Sequence, residues 1–204
     1  MLNLHNPIVF SDDENKLVNN IMAVKEGEKE KSGSELWEIG TKEVKALKGR
    51  ISEWTLTEQK CRCAYCERLL EQGTTFIEHF VPKSKHREFV FEPENLFSAC
   101  GRCNYTGIKG SKETLNLPLQ PQYRKNAFKI VHPYIDDPDS EIVFTDETRT
   151  VFDKDKCTPK GLSTIDFFSW DDKDAIMTRT KEAPFRNEPS DVKKYVLLIA
   201  TYRE

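Results

Sequence analysis

Two Cys-x-x-Cys pairs, Cys63/Cys66 and Cys100/Cys103, flank the 33 residues 67–99 and constrain this chain more than any other feature. Two cysteines three apart on a tight turn aim their sulfurs at one point, and two such turns supply the four thiolates of a tetrahedral zinc site. Disulfides would suit a secreted chain. Met1 to Asn20, however, lack the basic start and apolar stretch of a signal peptide and carry Asp12, Asp13 and Glu14 instead. A redox dithiol explains one pair and leaves the other over. The spacing therefore predicts one structural zinc on Cys63, Cys66, Cys100 and Cys103. A closed four-thiolate site has no position for water, so this zinc is expected to brace segment 67–99 rather than to catalyse. Such ligation contributes about 10–16 kcal/mol in small zinc peptides. Cys61 and Cys157 fall outside the pattern and read as ordinary part-buried thiols.

The rest of the chain can build a core around that brace. Of 204 residues, 37% are hydrophobic and 10% aromatic, which separates the chain from disordered sequences and suits one domain with elaborations. No apolar run approaches the ~20 residues needed to span a bilayer, so a soluble, cytoplasmic protein is expected. Net charge is −3, unevenly spread: residues 1–59 carry 8 basic and 11 acidic side chains, 60–112 carry 9 and 6, and 113–204 carry 14 and 17. The central stretch alone is net basic, which fits either a phosphate footprint or a solvated face.

Local patterns place elements around the centre. Ser11-Asp-Asp-Glu14 predicts a capping box opening a helix with Leu17, Val18, Ile21 and Met22 on one face. Glu26 to Ser34 is charged and apolar-free and reads as a loop. A second helix is expected from Glu35 to about Trp54, with Trp37, Val44, Leu47, Ile51 and Trp54 as its core stripe. Past residue 113, prolines and charges divide the chain into short pieces, with a hairpin expected from 142–144 and 148–152. A closing helix over Asp191–Arg203 aligns Val192, Tyr195, Val196, Ile199 and Tyr202.

Between the cysteine pairs, Thr75-Phe-Ile-Glu-His-Phe-Val-Pro82 is apolar and β-prone yet sets Glu78 beside His79. Ionisable groups in an apolar strand are costly unless paired or bound to metal. Lys83, Lys85 and Arg87 follow, then Asn95-Leu96, and the second pair runs into Asn104, with Lys109 beyond. His86 sits in the basic run, while His5 and His132 belong to no constellation.

These residues resemble the HNH endonucleases. Family members carry an acidic-His pair before a proline, then Asn-Leu, then Cys-x-x-Cys-Asn with a basic residue nearby. The resemblance covers about residues 60–112, and the interval from Asn95 to Asn104 is similar to the family's own. Many members have aspartate where this chain has Glu78. The phrases Cys63-Ala-Tyr-Cys-Glu67, Ile77-Glu-His-Phe-Val-Pro-Lys-Ser84 and Pro133-Tyr-Ile-Asp-Asp-Pro138 further resemble the PtuB-like nucleases of Septu and retron-borne antiphage systems, which work with a PtuA-type ATPase.

The resemblance implies an α+β fold with a zinc-braced ββα-metal core over 60–112; around it a helical N-terminal region 1–59, suited to partner contact, and a mainly helical C-terminal elaboration 113–204, with a hairpin and a helix, are expected. Phosphodiester hydrolysis needs an activated water and neutralised phosphate charge. His79 is the natural general base. Glu78 and Asn104 would offer oxygens to Mg²⁺ or Mn²⁺, and Asn95, as in the family, would orient the imidazole by hydrogen bonding. Lys83, Lys85, Arg87, Arg102 and Lys109 could hold a nucleic-acid backbone. DNA is the expected target, with RNA such as a tRNA as the alternative. A zinc-bearing adaptor without chemistry is the competing class.

Overall fold

Capping chemistry decides where the N-terminal helices begin. The computed structural model describes residues 1–26, 29–71 and 73–185. Ser11 caps α1 (Asp12–Met22), and Glu14 returns the bond to the Ser11 backbone as the sequence predicts. Within Glu26–Ser34, expected as a loop, β1 (Lys25–Glu26) pairs antiparallel with β2 (Lys29–Glu30). The backbone register sets Lys25 against Glu30 and Glu26 against Lys29.

The single helix expected over 35–54 is two helices. A second capping box, Ser32 with Glu35, opens α2 (Gly33–Trp37), and the Thr41 hydroxyl accepts the Val44 N–H to open α3 (Lys42–Glu58). Gly40, a weak helix former, precedes that cap and ends the first run. Trp37, Val44, Leu47 and Ile51 join one apolar cluster. Trp54 does not: it is 37% exposed, and its indole N–H donates to the Asn6 carbonyl at 3.1 Å.

In the centre, β3 (Thr75–His79) pairs antiparallel with β4 (Leu96–Cys100), in register from Thr75↔Cys100 to His79↔Leu96. The single turn α4 (Gly101–Asn104) follows at once. Side chains on a strand alternate between faces, and each face of this ribbon meets a different cluster. Ile77 and Leu96 pack with the residues of α1 to α3. Phe80, Phe97 and Ala99 pack with Tyr123, Phe128, Ile165 and Phe168 from the C-terminal region. From α3, the Gln59 side-chain amide accepts the Ser98 N–H at 2.7 Å and donates to the Ser98 carbonyl at 2.8 Å. The Thr55 and Ser98 hydroxyls add a contact of 2.8 Å.

The C-terminal region is more helical than its prolines suggest. It carries α5 (Pro138–Glu141), α6 (Pro159–Phe167) and α7 (Lys173–Glu182). Pro138 and Pro159 each sit at a helix start, where the missing N–H costs nothing, so they open helices instead of breaking them. The expected hairpin is a single bridge, Phe144↔Phe152. The helix expected over Asp191–Arg203 lies outside the described residues. The architecture as a whole is the expected mixture of helix and a small antiparallel sheet.

Gly33 shows how closely α2 meets the segment after β3, since a Cβ built there would lie 2.2 Å from the Lys83 carbonyl oxygen. Gly33→Ala should cost about 1–3 kcal/mol in urea unfolding. Gly49→Ala, in α3 with nothing within 4 Å of the new Cβ, should instead stabilise by roughly 1 kcal/mol.

Candidate active site and metal centre

The two cysteine turns converge. Cys63 and Cys66 precede β3, Cys100 ends β4, and Cys103 sits on α4; their four sulfurs all lie within 4.8 Å of one another. A tetrahedron with Zn–S bonds of about 2.3 Å spaces its sulfurs about 3.8 Å apart, and the Cys66 and Cys100 sulfurs stand 3.7 Å apart. The Cys100 N–H donates to the Cys63 sulfur at 3.4 Å, an orienting contact of the kind thiolate ligands receive. This group could hold a zinc ion. Cys61 and Cys157 stay outside it: burial pushes the Cys61 thiol up to about 11, and the Cys157 thiol donates to the Val143 carbonyl at 3.6 Å.

Next to this brace, a cleft of about 290 Å³ is lined by Glu78, His79, Pro82, Lys83 and Asn104, with Ser34 of α2. His79, the last residue of β3, is 4% exposed, and its Nε2 lies 3.0 Å from the Val90 carbonyl. A carbonyl only accepts, so Nε2 carries the proton and Nδ1 keeps its lone pair. The Trp37 ring packs edge-on to the imidazole at 4.5 Å. Burial, then the charges of Lys83 and Lys109, hold the imidazole well below its ordinary pKa, so it is neutral at physiological pH.

Glu78 projects from the opposite strand face. Its Oε1 lies 2.6 Å from the Lys109 ammonium and accepts from the Tyr65 hydroxyl at 3.2 Å. Lys109 is 1% exposed and donates to the His79 carbonyl at 2.7 Å as well. The expectation that Lys109 holds a nucleic-acid backbone is therefore corrected. Enclosed by a carboxylate and carbonyls, it is a buried cation that pins the end of β3.

Asn95 also departs from expectation. It is fully buried, and its side chain bonds to Val81, Phe89 and Tyr123 rather than to the imidazole. Among the other basic residues, Lys83 lines the cleft half-buried and Lys85 beside it is exposed. Arg87 turns away, pairing with Glu30 at 2.6 Å and donating to the Met22 carbonyl at 2.9 Å. Arg102 lines a separate small pocket with Cys66, Arg68 and Trp170. His86 is held between Glu113 at 2.8 Å and Glu88 at 3.4 Å.

Sequence reasoning missed Ser34 at the cleft and Trp37 against His79, and it missed Tyr123 and His132 behind Asn95. The helical stripe that marked Trp37 as core could not say that its neighbour would be His79. His132 does border the Pro133–Pro138 phrase, a signal that could have drawn attention to it.

Over 83 residues the chain is 31% identical to the Septu protein PtuB of Bacillus thuringiensis. The likeness is partial. It takes in 40% of this chain and spans only 27% of the Bacillus protein's length. No protein-family model matches the chain, and no solved structure matches it. Among the described residues, no helix is long and apolar enough to cross a membrane.

Two measurements follow. Elemental analysis should return one zinc per chain, and Cys103→Ser should lower that content sharply. His132, fully buried, is held well below its ordinary pKa by burial and by the charges of Lys160 and Arg124. Below about pH 6.5 the unfolded chain takes up a proton there, and another at His79, that the folded chain refuses, so stability falls with falling pH by up to about 1.4 kcal/mol per unit for each histidine. Urea unfolding at pH 7.5 and 5.5 should show that loss, and the His132 NMR signals should stay those of a neutral ring throughout.

Proposed function

We propose that this chain is a metal-dependent endonuclease of the HNH type that hydrolyses DNA in an antiphage defence complex with a PtuA-like ATPase. The observation that carries the reading is the cleft that brings Glu78, His79, Asn104 and Lys83 together beside the four-cysteine group. The partial likeness to a Septu protein supports the defence setting and the partner.

The cleft residues fit a hard cation. Glu78 uses Oε1 for Lys109 and Tyr65, which leaves its other oxygen and the Asn104 side-chain oxygen as donors. Among the described residues, the four cysteines are the one group of three or more His, Cys, Asp or Glu side chains close enough to share an ion. A cation in the cleft would therefore take most of its shell from water and phosphate oxygens, the habit of Mg²⁺. When bound, Mg²⁺ or Mn²⁺ supplies charge neutralisation at the phosphate and the leaving oxygen. His79 accepts the proton of the attacking water on Nδ1, while Nε2–H stays fixed on the Val90 carbonyl. Lys83, half-buried at the rim, offers the adjacent phosphate a cation.

Losing a general base costs about 10²–10⁴-fold, so His79→Ala should cut plasmid DNA that much more slowly with zinc content and circular dichroism unchanged. Glu78→Gln and Asn104→Ala should be partly rescued by added Mn²⁺, whereas His79→Ala should not. Glu78→Gln is preferred to Glu78→Ala, which would strand the buried Lys109. Wild-type-like cutting by folded His79→Ala would return the chain to the adaptor class, and cutting of tRNA but not DNA would replace the substrate.

A further inference from the structure

The C-terminal region reaches His79 through a chain of directed hydrogen bonds. The Tyr134 backbone N–H donates to His132 Nδ1 at 3.1 Å, so that nitrogen holds a lone pair and the ring proton sits on Nε2. His132 Nε2 stands 3.0 Å from the Tyr123 hydroxyl, to which it donates. The hydroxyl in turn donates to Asn95 Oδ1 at 2.9 Å. Asn95 Oδ1 also accepts the Val81 N–H at 2.6 Å, and Nδ2 donates to the Phe89 carbonyl at 2.8 Å and the Val81 carbonyl at 3.2 Å. Every donor meets an acceptor, and only one direction of the chain achieves this. All three side chains are buried.

The far end of the chain governs the imidazole. Val81 lies two residues beyond His79, and Phe89 immediately precedes Val90, whose carbonyl takes the His79 Nε2 proton. By binding both Val81 and Phe89, Asn95 closes the segment between them and sets the Val90 carbonyl against the ring. The near end is equally fixed. The His132 backbone N–H donates to Asp136 at 2.7 Å, Lys160 pairs with the same carboxylate at 2.5 Å, and the His132 ring packs on Phe80 with centroids 4.3 Å apart.

We infer that Tyr123 and His132 are positioning residues for His79: their relay locks Asn95, which fixes the loop that holds His79 as the Nε2–H tautomer with Nδ1 free to act as base. The catalytic consequence rests on the nuclease reading; the tautomer does not.

Tyr123→Phe removes one oxygen and keeps the ring packing, and the full zinc-loaded chain is used for each arm. Imidazole ¹⁵N NMR should show wild-type His79 protonated on Nε2 and a tautomer mixture in Tyr123→Phe. Turnover on DNA should fall about 10–100-fold, as for displaced catalytic groups, with KM within about twofold. Combining Tyr123→Phe with Asn95→Ala should cost little beyond Asn95→Ala alone, because both cut one path. An unchanged His79 tautomer in folded Tyr123→Phe would overturn the inference. So would a wild-type His132 protonated on Nδ1, a measurement that needs no variant to fold. A tautomer change in a chain that cuts nothing would uphold the relay and overturn only the nuclease reading.

Discussion

Both faces of the β3–β4 ribbon must be covered, because two strands alone carry too little apolar area to persist in water. The chain meets this demand with α1 to α3 on one side and the C-terminal aromatics on the other, and β4 is buried along its whole length. Covering a ribbon that carries Glu78 and His79 removes water from both. Each must then find a protein partner, and those partners, Lys109 for the carboxylate and the Val90 carbonyl for the imidazole, make the cleft a fixed arrangement.

The Glu78–Lys109 pair illustrates what such an arrangement costs and what it specifies. A buried ion pair adds little net stability, since desolvation consumes most of its attraction. What it does is geometric: one ammonium spans the Glu78 carboxylate and the His79 carbonyl, tying the strand to the segment just beyond α4. Glu78 and His79 are thereby held by the same cation.

Much of this was legible in the sequence, for reasons that are local. Cysteine spacing reports the four-sulfur group because each turn positions its own pair, and Ser11 with Glu14 reports a helix start because the capping bonds span three residues. What the sequence left illegible depends on distant partners. Lys109 and Arg87 read as cations for a nucleic-acid backbone until Glu78 and Glu30 are brought against them. Pro159 reads as a breaker until Thr158 is seen to cap the helix it opens. The long stripe from Trp37 to Trp54 conceals a break because both halves keep apolar periodicity across Gly40 and the Thr41 cap that separate them. Asn95 was singled out from its company, but most of its bonds go to backbone atoms that sequence does not name.

The Gln59 contact on Ser98 has a consequence for how copies of this chain meet. A strand edge with free N–H and C=O groups invites another strand. On β4 the Gln59 amide occupies both groups of Ser98, the Ala64 N–H also reaches the Ser98 carbonyl at 3.1 Å, and the Cys100 N–H is taken by the Cys63 sulfur. A side chain and a cysteine turn thus stand where a third strand would lie, and the sheet is closed to growth along that edge.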